Sequence, residues 1–241
     1  MTEGFLTWLS LVSFGPKGWG ALLAAAAGMT LAVSACAFLF GTALGGLGAW
    51  AKLSGGAAAR GAAGTYTTVV RGVPELLVIY LFYFGGSSVA TAVGRMLGYG
   101  GFLGLPAFAV GVLAVGTVSG AYQTEVIRGA FLAIPRGEIE AARAIGMGRL
   151  TMLQRIVGPR VLRFAMPGFG NVWQQVLKES TLISVTGLVE IMRQIHIAAG
   201  STRLPFDFYI TGFMLYLLLT TVSGQLFRGL EGWTLRPERR A

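Results

Sequence analysis

Glu140-Ala141-Ala142-Arg143-Ala144-Ile145-Gly146 is followed, after nine residues, by Ile156-Val157-Gly158-Pro159. The run lies in a basic stretch between two long apolar segments. Across residues 138–145 the apolar side chains Ile139, Ala141, Ala142 and Ile145 recur at spacings of three and four, which predicts a short amphipathic helix. Pro135 suits its start, and Glu138 and Glu140 suit the positive end of its dipole. Gly146 and Gly148 suit its end. A turn and a second, basic helix toward Pro159 are expected next. The Ala-Ala pair bares backbone and favours docking against protein; a helix resting on the membrane surface is the competing reading.

The surroundings point to a bilayer. The chain has 241 residues, 54% hydrophobic and only 12% charged. A soluble domain carries about 25% charge. Net charge is +9, but the basic residues cluster between apolar segments, a pattern of membrane topology, so no nucleic-acid binding is expected. Cys36 is the single cysteine, which excludes an internal disulfide and a cysteine-type metal site; it reads as a small buried apolar residue. No basic residue precedes Lys17 and Glu3 is acidic, so the first apolar segment is expected to stay in the bilayer.

A span needs about 20 apolar residues. Charge-poor stretches place five, at about 20–50, 65–86, 101–124, 168–190 and 208–227, with a long loop over 125–167, all in one transmembrane domain over 1–241. The loops after spans one and three and the C-terminal tail hold 13 Lys and Arg; the other side holds 4 (Lys17, Arg95, Arg193, Arg203), and Arg71 and Lys178 lie within spans, making 19 in all. The positive-inside bias then puts the N-terminus outside and both the 125–167 loop and the C-terminus in the cytoplasm. Gly41 with Gly45, and Gly116 with Gly120, have the four-residue spacing that lets helices approach closely.

Charges inside spans are costly. Glu75 and Lys178 each lie ten residues into their spans, about 15 Å deep at 1.5 Å per residue, so a Glu75–Lys178 contact is expected if the spans are neighbours. Arg71 lies one helical turn from Glu75, and Pro74 can kink the helix. Mutual neutralisation that fixes packing is one reading. The other makes Glu75 an acidic counter-group for a cationic solute; the polar run Asn171, Gln174, Gln175, Ser180, Thr181 and Ser184, with Glu179 beside it, then lines the same path or serves equally well as a helix–helix hydrogen-bond set. His196 is expected in an outer loop, and Trp8, Trp19, Trp50 and Trp233 as anchors at span ends.

The Glu140-Ala141-Ala142, Gly146, Ile156 and Pro159 pattern resembles the cytoplasmic signature loop of ABC importer permeases, with Gly158 where that pattern has Leu. Arg71-Gly72-Val73-Pro74-Glu75 is similar to the second-span motif of polar amino-acid permeases, and Lys178-Glu179-Ser180-Thr181-Leu182 to their fourth-span motif. The likeness runs over nearly the whole chain, most closely to permeases for histidine, arginine-type amino acids and opines. It implies an all-α integral membrane protein with the five-span core of type I importers, in the bacterial inner membrane. It also implies a coupling helix at Glu140–Gly146 that docks an ATPase, and a pathway for polar, foremost basic, amino acids or opines. Two ATP-binding subunits, a second permease subunit, identical or homologous, and a periplasmic substrate-binding protein are the implied partners.

The chain contains no G-x-x-x-x-G-K-[ST] stretch, so ATP and magnesium are expected only in the partner, with no cofactor or metal bound here and no enzymatic activity. A stand-alone secondary transporter or channel for amino acids is the alternative; it predicts transport by this chain alone and commonly an inverted repeat, which is not evident. An intramembrane enzyme would need paired catalytic groups, and one histidine leaves little to build them from.

Overall fold

A computed structural model describes residues 8–16 and 18–235, which form helices and turns with no strand among the described residues. After a short helical stretch at 8–12, the helices are α1 (Gly20–Ser54), α2 (Ala57–Gly72), α3 (Glu75–Met96), α4 (Ala107–Leu132), α5 (Arg136–Ala144), α6 (Arg149–Thr186), α7 (Ile191–Thr202) and α8 (Pro205–Leu235). By length and composition α1, α3, α4 and α8 can each cross a membrane, and α6 with α7, bent by 52°, brings the spans among the described residues to as many as five if the bent pair counts as one.

Several expected boundaries move, each for a local reason. The span expected at 65–86 is broken: α2 ends at Gly72, Val73 is extended, and α3 starts at Glu75. Pro74 disfavours helical geometry at the residue before it, which stops α2 there. Glu75 is therefore the first residue of an apolar helix, not ten residues into one. The span expected at 101–124 is the later helix α4, which passes through Glu125 to Leu132 because that carboxylate is neutralised by neighbouring cations. The second helix expected after it is longer than Pro159 suggested: α6 begins at Arg149, carries Pro167 within it and tightens to a 3₁₀ helix over Ser180–Thr186. A π turn over Leu153–Val157 is closed by the Gly158 N–H on the Leu153 carbonyl. Pro159 has no N–H for the regular i→i−4 bond, which favours the wider turn. A Cβ on Gly158 would lie 2.8 Å from the Leu153 carbonyl oxygen, which is why glycine fits where the resembling pattern has leucine.

Contacts divide the described residues into two compact units. One gathers the chain up to Ala37, Glu75–Val115 and Val176–Val222; the other gathers Phe38–Pro74, Gly116–Gln175 and the chain from Ser223 on. In the first, Leu23 and Ala26 of α1 pack against Ile191, Ile195 and Ala198 of α7 and Phe208 of α8. Trp19, just before α1, stacks edge-on against Phe208 with ring centres 5.8 Å apart and packs partly buried against this core. The expected outer loop is the helix α7, with His196 edge-on to Tyr209. Cys36, expected buried, is exposed on α1.

In the second unit α1 and α4 meet backbone to backbone through the predicted small residues. A Cβ on Gly41 would lie 2.8 Å from Ser119 Oγ, one on Gly45 2.8 Å from Gln123 Cβ, and one on Gly120 2.9 Å from Leu44 Cβ. Gln123, fully buried, accepts from the Thr42 hydroxyl (2.7 Å) and donates to Ser119 Oγ (2.8 Å) and the Phe38 carbonyl (3.1 Å). Phe38, Phe169, Trp173 and Phe227 form an aromatic cluster beside it.

Candidate coupling surface and pathway residues

The signature segment folds as α5. Pro135 precedes it, and Glu138 sits in its first turn. It ends as the two glycines predict: Gly146 N–H reaches the Arg143 carbonyl (2.9 Å) and Met147 N–H the Ala142 carbonyl (3.0 Å), with Gly146 at φ +75°. That pair of bonds is a Schellman cap. The turn lays α5 back along the start of α6. Glu138 then grips Arg160 through both carboxylate oxygens, each 2.9 Å from a guanidinium nitrogen.

Between these helices lies an open groove of about 540 Å³ lined by Ala141 and Ala142 of α5, by Ile145 just after it, and by Arg155, Ile156 and Pro159 of α6, with the Glu138–Arg160 pair alongside. Of the six expected docking residues, Ala141, Ala142, Ile156 and Pro159 thus share one surface although up to 18 positions separate them (159 − 141). Ala142 forms its buried floor at 3% exposure. Glu140 is exposed but does not line the groove, and Gly146 serves the helix cap. The geometry is a concave, largely apolar seat with a basic margin.

The nine pathway candidates divide between the units. In the second, Arg71 ends α2 with its guanidinium 5.0 Å above the Tyr122 ring. Pro74 forms the break, Asn171 is exposed and Gln175 half-buried on α6. In the first unit, the start of α3 lies against the 3₁₀ segment of α6, so the expected neighbours do meet. Glu75 is half-buried at the start of α3 and Lys178 is exposed near the end of the regular part of α6. Glu179 is buried. The hydroxyls of Ser180 and Thr181 donate to the carbonyls three residues earlier, Leu177 at 2.8 Å and Lys178 at 2.7 Å, which satisfies carbonyls freed where α-helix turns into 3₁₀ helix. Thr181 also faces a cavity of about 360 Å³ shared with Ser184, Met192, His196, Tyr209 and Tyr216.

Two polar clusters escaped the sequence reading. Glu190, fully buried, caps α7: its carboxylate accepts from Met192 N–H (2.9 Å), Arg193 N–H (2.8 Å) and the Tyr216 hydroxyl (2.9 Å). Glutamate is not among the preferred N-caps, so no local signal marked it. In the second unit Lys52 Nζ contacts Glu125 Oε1 (2.5 Å) and Thr67 Oγ1 (2.6 Å), and Arg128 Nε contacts Glu125 Oε2 (2.9 Å). Only the Glu125–Arg128 spacing was legible in the sequence. Among the described residues no three His, Cys, Asp or Glu side chains gather into a metal-holding group.

Residues 41–234 match the family model of a binding-protein-dependent transport system inner membrane component. The octopine transport system permease protein OccQ of Rhizobium meliloti is 55% identical over 97% of this chain and 98% of its own length. The nopaline transport system permease protein NocQ of Agrobacterium fabrum is 50% identical over 96% and 98%. Among solved structures, an amino acid ABC transporter crystallised with histidines superposes with a TM-score of 0.75 at 30% identity, over 88% of this chain and 94% of that one. With the helical fold, the broken span and the signature helix on its capped turn, these likenesses make the chain a member of the binding-protein-dependent transport system inner membrane components, the permease subunits of ABC importers.

Proposed function

We propose that this permease imports opines and basic amino acids and is driven by ATP hydrolysed in partner subunits. The observation that carries the reading is the groove uniting Ala141 and Ala142 with Ile156 and Pro159. A fold that gathers separated apolar positions into an exposed seat beside a capped helix suits a protein ridge better than a flat membrane surface. Two ATPase subunits would seat there, one beneath each of two permease chains, identical or homologous. A periplasmic binding protein would deliver solute from the other side. The chain itself performs no covalent chemistry and binds no cofactor; ATP and magnesium belong to the partner.

The charge asymmetry supports a cytoplasmic α5, an outer N-terminus and an inner C-terminus. The opine preference rests on the octopine and nopaline permeases similar to this chain. Glu75, Lys178, Glu179, Ser180 and Thr181 of the first unit and Arg71, Pro74, Asn171 and Gln175 of the second remain the pathway residues proposed. The test is reconstitution in liposomes with the cognate ATPase, second permease and binding protein, using labelled octopine, arginine and glutamate. ATP-dependent uptake of octopine or arginine, with glutamate excluded, is expected. Uptake by this chain alone, driven by an ion gradient, would overturn the reading.

A further inference from the structure

Only three residues separate the end of α4 from the start of the coupling helix α5, so a push on α5 is a push on the end of α4. Seven residues before that end, Glu125 is held through both oxygens, by Lys52 of α1 and by Arg128 of α4 itself. Lys52 also donates to Thr67 of α2. Three helices of the second unit therefore meet at one ammonium–carboxylate contact. The Lys52 and Glu125 side chains keep only 16% and 24% of their exposure, so water screens the pair little. A second tie, the Tyr66 hydroxyl on the Thr117 carbonyl at 2.6 Å, also fastens α2 to α4. From α2 the chain continues through the Pro74 break into α3, whose first residue is Glu75.

We infer that Glu125 and Lys52 are positioning residues for transport: their contact transmits displacement of α5 to the α1–α2 pair, and thereby to the helix that begins at Glu75. The inference rests on the ATPase-docking reading of α5. Without the contact, the part of α4 beyond the Tyr66–Thr117 tie can shift with the ATPase while the facing ends of α1 and α2 stay in place. Neither residue lines the docking groove, so the ATPase still seats and still turns over. Partial burial and the double grip make the pair directional: a carboxylate held on both oxygens has one favourable arrangement, whereas fully solvated charges would slip between several.

The experiment compares Glu125→Gln, Lys52→Met and the double variant in the full reconstituted complex. It reads ATPase co-purification, thermal midpoint, basal ATP hydrolysis and solute imported per ATP. Co-purification, midpoint and basal hydrolysis close to wild type are expected, with import per ATP falling at least about fivefold, the low end of ordinary coupling factors. The double variant should be no worse than either single one, because both break the same contact. Wild-type import per ATP in both single variants would overturn the inference. So would a loss confined to midpoint or assembly, which marks the pair as purely structural, and so would additive losses in the double variant. A wild-type complex that does not couple ATP to uptake would instead bring down the docking reading, and this inference with it.

Discussion

Glu190 shows how much one buried side chain can organise. Its carboxylate accepts three hydrogen bonds, and the adjacent Ile191 N–H donates to Thr30 Oγ1 at 3.2 Å. Glu190→Ala would leave two α7 N–H groups and the Tyr216 hydroxyl without their acceptor. Loss of a cap and of a buried acceptor together should cost about 2–4 kcal/mol, seen as a lowered thermal midpoint in detergent. Glu190→Gln keeps the shape and one acceptor oxygen and should lose less. Gly146 is a second sensitive position. At φ +75° a β-branched side chain is strained by roughly 1–2 kcal/mol. Gly146→Val should therefore fray the end of α5 and weaken ATPase co-purification more than it lowers the midpoint. Glu75→Gln, in turn, should reduce uptake of cationic solutes more than neutral ones in a competition assay if the carboxylate serves as counter-group; equal loss for both leaves only a packing role.

At the scale of elements the groove makes the sharpest prediction. Ala141 is exposed while Ala142 is buried, so Ala141→Trp fills the seat without disturbing its floor. The variant should insert and keep its midpoint yet fail to co-purify with the ATPase; normal co-purification would argue against the seat. Glu140→Arg tests the exposed margin instead, and should uncouple hydrolysis from uptake or block docking. Elements differed in how plainly the sequence announced them. The end of α5 was legible because Gly146 and Gly148 follow its apolar pattern directly. The length of α4 was not: a charge marks where lipid should stop, whereas a helix continues wherever its carbonyls and charges find partners, as Glu125 does with Lys52 and Arg128. The α2–α3 break was half legible, since Pro74 was visible but its arrest of the helix at Gly72 was not. Helix α7 was missed because its cap is a glutamate and its stop, Arg203 at φ 58°, is not glycine.

For the molecule as a whole, the family and its membrane character followed from ordered motifs and charge-poor stretches. The docking residues were chosen by motif, and folding brought four of the six onto one surface. The contacts that bind distant segments were invisible: Lys52 and Glu125 are 73 positions apart, and nothing local ties them. The first unit needs three separate stretches of chain, the last of them 176–222, and the second draws on residues from 223 on. A ribosome that has delivered everything up to α7 has therefore completed neither. Until α8 emerges, the newborn polypeptide needs safekeeping by the insertion machinery, and a message cut short there should yield fragments cleared by membrane proteases rather than half-built folded pieces.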